Sequence, residues 1–198
     1  MSPKLFLHKA RDASVVAILR RSEKTNWELI KWDISADTFT EGQWLLGKTM
    51  NGRYPKLSPD GKLFSYHYDI YHKGDWRCEG AVSLLPNFTA LYFCGDHCGN
   101  WEEIGFGEDG ALVFEPTRLV KKGSVDLPIR KYDKNLTLVP PSYIDFEALE
   151  GNVWVDPRGR KISTKDGILY ADGEVLYDTT AHEFESRKPI GEQNLTTA

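Results

Sequence analysis

The sequence predicts an all-β chain, a small β-propeller of four four-stranded antiparallel blades, and three observations carry that expectation. A turn motif returns with a period of about 49 residues; Gly and Pro punctuate short apolar runs; and aromatic residues make up 12% of the chain. Strands favour aromatic and β-branched side chains because these pack on pleated, half-buried faces. A fixed period of 40 to 50 residues is the mark of a fold built by repeating one supersecondary unit.

The period is read from the glycines. Asp60-Gly61, Asp109-Gly110 and Arg158-Gly159 each lie between apolar segments at equal spacing, with Leu57, Phe106 and Val155 four residues before the glycine. Leu63-Phe64, Leu112-Val113 and Lys161-Ile162 follow in the same register, and Asp12-Ala13 before Val15-Val16-Ala17-Ile18 places a related turn, one residue displaced, in the first unit. A second set obeys the same interval: Lys24-Thr25-Asn26-Trp27, Lys73-Gly74-Asp75-Trp76 and Lys122-Gly123-Ser124-Val125, with Trp44 matching Phe93. Four units span nearly all 198 residues, so residues 1–190 form one domain and residues 191–198 a mobile tail.

The second unit shows the internal plan. Tyr54–Leu57 is a short strand, Ser58–Gly61 a tight turn, and Lys62–Tyr68 a second strand; Trp76–Leu84 and Phe88–Cys94 follow as the third and fourth. Pro59 presets its own backbone angle and Gly61 accepts a positive one, as a reversal of this kind requires. Ile168–Tyr170 and Glu174–Tyr177 are the outer strands of the last unit, and the segment from Ala181 onward is placed across the seam between first and last units. Trp27 and Trp76 begin third strands and pack between neighbouring blades. The four units close into a ring, or form a half-ring completed by a homodimer.

The run Leu57-Ser58-Pro59-Asp60-Gly61-Lys62, continued by Leu63-Phe64-Ser65-Tyr66, resembles the Ser-Pro-Asp-Gly-type, WD-like propeller repeat of the Tol-system translocation protein and of prolyl-oligopeptidase-type peptidases. The resemblance implies a blade whose first strand lines a central channel and whose second begins after the turn. Phe106–Ala111 keeps the Asp-Gly of that pattern, Val155–Arg160 its Pro and Gly, and Arg11-Asp12-Ala13 its Asp alone.

Composition narrows the function classes. The net charge is −4 and the basic residues are scattered, unlike the basic stripe that replaces counterions along phosphates, so no nucleic-acid partner is expected. The opening Met1–His8 lacks the apolar core of a signal peptide, and no run reaches the ~18 apolar residues of a membrane span; a cytoplasmic protein with no membrane partner is expected. Cys78, Cys94 and Cys98 are odd in number and read as reduced thiols, a Cys78–Cys94 disulfide depending on hairpin register. The Asn-x-Thr sequons at Asn87, Asn135 and Asn194 read as chance matches.

In a blade, the loop between strands two and three and the loop to the next blade open on one face, and function gathers there. Those loops place Arg53, Asp69, Tyr71, His72, Asp96, His97, Asn100 and Trp101 as ligand- or partner-contacting residues beside the second unit. Cys94-Gly95-Asp96-His97-Cys98 offers soft ligands, with His67 or His72 as a fourth, yet adjacent His97 and Cys98 diverge on an extended backbone and no Cys-x-x-Cys occurs; no metal or other cofactor is assigned. No Gly-x-Ser-x-Gly elbow or phosphate-binding glycine loop is present. The expected function is therefore a non-enzymatic module recognising a protein or small ligand. The alternative is a small hydrolase or lyase, metal-dependent or not, using His67, Asp69, His72 or His97, since alternation puts His67 and Asp69 on one sheet face.

Overall fold

The computed structural model describes residues 2–72, 75–94, 105–114, 119–123, 126–131, 138–140 and 142–188, with backbone alone for 70–72, 75–76, 119 and 131. The expected tail 191–198 and the Cys98 cluster lie outside these residues. The described chain is all-β, apart from two single-turn 3-10 helices at Phe146–Ala148 and Glu150–Asn152. Its strands form four separate sheets, and only β11 departs from chain order.

The first sheet is a meander of β1 (Lys4–Lys9), β2 (Val15–Glu23), β3 (Asn26–Asp33) and β4 (Thr38–Leu45). The second contains β5 (Lys56–Leu57), β6 (Leu63–His72), β7 (Asp75–Leu84) and β8 (Ala90–Cys94), with β11 (Leu119–Lys121) added on the far side of β8. The third contains β9 (Gly105–Phe106), β10 (Leu112–Phe114) and β12 (Ile129–Lys131), and the fourth is a meander of β13 (Trp154–Val155), β14 (Lys161–Lys165), β15 (Ile168–Ala171) and β16 (Glu174–Asp178). Every pairing is antiparallel except that of β10 with β12. Four strands per sheet thus holds for the first and fourth but not for the second and third. The reason lies at the edge of β8, an apolar Ala-Leu-Tyr-Phe-Cys run that would expose unpaired backbone groups; β11 covers it, with Leu119 opposite Cys94 and Lys121 opposite Tyr92.

Strands β1–β3 of the first sheet are buried on both faces. Strand alternation points Phe6, Leu19, Trp27 and Leu29 one way, against Leu57, Phe64, Tyr66 and Ala81 of the second sheet. It points Leu5, Leu7, Ile18, Ile30 and Trp32 the other way, against Ile162 and Leu169 of the fourth. The remaining face of the second sheet, carrying Leu63, Val82 and Tyr92, packs on Phe106, Leu112 and Phe114 of the third. The spatial order is therefore fourth, first, second, third. Edge strand β1 lies beside both β5 and β14, and β5 lies beside β9. Trp27 is wholly buried between first and second sheets, with its ring 5.9 Å from Phe6 and its indole N–H donating to the Lys48 carbonyl at 2.9 Å.

The turn glycines share one conformation. Gly61, Gly110 and Gly159 have φ of 74°, 78° and 81°. Their N–H groups donate to the carbonyls of Ser58, Gly107 and Asp156, each at 2.9 Å. Aspartate fixes each turn from within: Asp60 accepts from the Lys62 N–H, Asp109 from that of Ala111, and Asp156 from those of Arg158 and Arg160. The first turn reaches the same closure without glycine, Ala10 N–H donating to Val15 O much as Ser58 N–H donates to Leu63 O, both at 2.9 Å.

These geometries separate two costs. A Cβ at Gly110 meets nothing within 4 Å, whereas one at Gly61 lies 2.9 Å from Val15 Cβ. Gly110→Ala is expected to lose about 1 kcal/mol through its left-handed backbone alone, and Gly61→Ala about 1–3 kcal/mol more through the clash. Urea denaturation of both variants checks this, and equal losses would contradict the packing described.

Candidate functional site

The predicted binding face is only partly within the described residues. Asp96, His97, Asn100 and Trp101 lie outside them, and for Tyr71 and His72 the backbone alone is described, paired across the hairpin with Trp76 and Asp75. Arg53 is engaged: its Nη2 donates to Glu147 at 2.6 Å and its guanidinium lies 5.9 Å from the Tyr143 ring. The Arg53 hydrogen bond holds the Glu147 carboxyl below its usual range. Asp69 sits on β6, its N–H donating to Thr49 O at 2.7 Å. The loop leaving the first sheet thus reaches Asp69 through Thr49 and Glu147 through Arg53.

Alternation does place His67 and Asp69 on one face of β6, but that face is covered by the third sheet and His67 is 2% exposed. Burial, and secondarily the Lys56 charge, push its pKa down to about 4. A substrate has no approach to this imidazole. Cys78 and Cys94 do not face each other across the sheet: Cys78 lies opposite Asp69 on β6, and the residue opposite Cys94 on β7 is Gly80.

A second buried histidine braces the edge strands β1 and β5. His8 on β1 contacts Gly52 O through Nε2 at 2.9 Å and the Ser142 hydroxyl through Nδ1 at 3.3 Å. With Nε2–H donating to the carbonyl, Nδ1 accepts from Ser142, whose oxygen also accepts the Leu57 N–H at 2.9 Å. Total burial lowers the His8 pKa to about 4.

Two features were not anticipated. The first is a cleft of about 390 Å³ at the opposite end of the strands, where the turns of the first three sheets converge. Its floor is Leu63, Leu84, Leu127 and Pro128, and its rim carries Asp12, Asp60, Glu108 and Asp109 with one lysine, Lys62. Turn-to-turn bonds fix the rim: Asp12 N–H to Pro59 O at 2.9 Å and Arg11 Nη2 to Glu108 O at 3.0 Å. Arg11 pairs with Asp12, Lys62 with Asp60 and Arg130 with Asp109, which leaves the Glu108 carboxylate without an ion pair among the described residues.

The second is a charged cluster on the seam between first and fourth sheets. Arg20 on β2, Glu28 on β3 and Trp44 on β4 form one row across the first sheet. A bulge sets Gly42 and Gln43 together opposite Leu29, so that Glu41 joins Trp44 and Glu28 on the same face although 41 and 44 differ by an odd number. Gly42 is required there because a Cβ would lie 1.8 Å from Pro86 O. The chain after β16 crosses this row. His182 presents Nδ1 to Glu28 at 3.0 Å and Nε2 to Glu41 at 3.4 Å, and Arg187 reaches Glu28 at 3.2 Å and Glu41 at 2.5 Å. The oxygens of Glu28, Glu41 and the nitrogens of His182 lie close enough to resemble a cation site. Arg187 already donates to one oxygen of each carboxylate and a second guanidinium, Arg20, lies 3.7 Å from Glu28, so the donor set does not fit a metal ion.

Compared with protein-family models, curated proteins and solved structures, the chain matches none. No helix among the described residues is long and apolar enough to cross a membrane.

The two lowered histidines give a signed pH dependence. Between about pH 6.5 and 4 the unfolded chain takes up protons at His8 and His67 while the folded chain does not. Stability from this source is full above that window and falls as pH falls through it, by up to about 1.4 kcal/mol per pH unit for each histidine. Urea midpoints of the parent and of a His8→Gln/His67→Gln variant at pH 7.5 and 5 check this: the parent should lose more on acidification, and parallel losses would contradict it.

Proposed function

We propose that this chain is a non-enzymatic binding module, built as a four-bladed propeller of about 49-residue units, that takes a protein segment in the cleft between its first three turns. Three features support the propeller arrangement. Successive sheets pack face to face, the edge strands β1, β5 and β9 are neighbours, and the last sheet packs back on the first. The seam left over is between third and fourth sheets, which share no core cluster among the described residues.

The observation that carries the binding reading is the cleft itself, an apolar floor inside a rim of four carboxylates. Apolar surface of this size gives area to bury, and an acidic rim whose Glu108 has no ion pair among the described residues selects positive charge. The occupant it suits is a peptide segment with an aliphatic residue beside a lysine or arginine. The sequence reading placed binding on the opposite face; the cleft favours the turn end because three different sheets contribute to it. On the enzymatic alternative, the one described histidine side chain it invoked, His67, is buried away from solvent.

A random peptide library screened on the intact chain tests the reading. Enrichment of basic-aliphatic peptides is expected, weakened at least tenfold by Glu108→Lys and strengthened by Lys62→Ala. Enriched peptides indifferent to charge, or binding unchanged by Glu108→Lys, would overturn it.

A further inference from the structure

We infer that the charged row on the first sheet is a recognition groove for an extended, arginine-bearing segment of a partner protein, and that residues 182–188 of this chain occupy it in cis. This surface is separate from the cleft. The receptor half is rigid: Glu28, Glu41 and Trp44 stand on paired strands, and the bulge at Gly42 aims Glu41 at Glu28.

The occupant half is held quite differently. Past the His182 N–H, which donates to Thr179 O, the segment to residue 188 makes no main-chain to main-chain hydrogen bond among the described residues. Side chains hold it instead. His182 lies between the two carboxylates, Phe184 meets the Trp44 ring edge-on at 6.1 Å, and Arg187 enters the acidic pair. Phe184 remains 56% exposed and its neighbours Glu183, Glu185, Ser186 and Lys188 are exposed. A segment with few buried contacts and no ladder opens at low cost relative to the sheet beneath it.

Arginine is the residue the groove selects. One guanidinium serves Glu28 and the Gly42 carbonyl through Nη1, at 3.2 and 3.1 Å, and Glu41 through Nη2 at 2.5 Å. Those acceptors match a planar fork and not the point charge of lysine. Glu28 is 0% exposed, and Arg20 approaches it no closer than 3.7 Å. An emptied groove therefore leaves Glu28 with Arg20 at 3.7 Å and without the hydrogen bonds of His182 and Arg187, and an incoming arginine restores a directly bonded cation.

The test uses the full chain carrying Arg187→Ala and a synthetic peptide with the sequence of residues 180–188, followed by calorimetry. Saturable one-to-one binding is expected, at least tenfold tighter than to the unsubstituted chain, whose groove is filled. It should weaken at least tenfold when lysine replaces arginine in the peptide. Should Arg187→Ala fail to fold, Arg187→Lys keeps a cation beside Glu28 while losing the fork, and the same ordering is expected. Absence of saturable binding to a folded Arg187 variant, or equal binding of the arginine and lysine peptides, would overturn the inference.

Discussion

Strands β1–β3 of the first sheet are buried on both faces, and the rest of the structure depends on that constraint. A sheet covered on one side alternates apolar and polar residues, whereas β2 runs Val15-Val16-Ala17-Ile18-Leu19 without a break because successive side chains enter two different cores. One core joins it to the next sheet in sequence. The other joins it to the last, which brings the two ends of the described chain into contact.

The contact between first and last sheets is apolar in the middle and ionic at both ends. At the turn end Arg160 bonds both oxygens of Asp37, at 2.7 and 2.8 Å, while its Nε holds Asp156. At the other end Arg20 bonds the Thr179 hydroxyl and the His182 carbonyl, and Arg187 closes over Glu28 and Glu41. Leu7, Ile18, Trp32, Ile162 and Leu169 between them supply most of the stabilisation, at roughly 1.5–3 kcal/mol for each fully buried Leu or Ile side chain. The ionic ends add direction, because forked pairs between fixed acids and guanidinium groups admit few alternative alignments of the two sheets. Removing Glu28 would cost more than its ion pairs contribute, since the buried Arg20 guanidinium would be left in the interior without a carboxylate.

Local features were legible in the sequence where their cause is local. Gly61, Gly110 and Gly159 could be read as turns because a positive φ leaves few residue choices, and the strands after them follow from apolar runs. Trp27 in a core between sheets and the chain after Ala181 lying across the first–last seam were likewise expected. What could not be read arises between distant residues. Glu28 sits at a core position between Trp27 and Leu29 and looks like a surface residue of an amphipathic strand until Arg187, far along the chain, is placed beside it. The strand glycine Gly42 was the available signal for the bulge, since glycine within a strand marks a close backbone approach. The addition of β11 to the second sheet answers an unpaired edge that appears only once β8 is formed. The cleft likewise exists only because turns from three units meet.

Native-state hydrogen exchange tests the central claim most directly. If the doubly buried strands of the first sheet organise the molecule, the amides of Ala17–Leu19 and Leu29–Ile30 exchange slowest, and that of Leu169 on the fourth sheet opens together with them at rising denaturant. Independent, faster opening of the fourth sheet while the first stays closed would contradict the account.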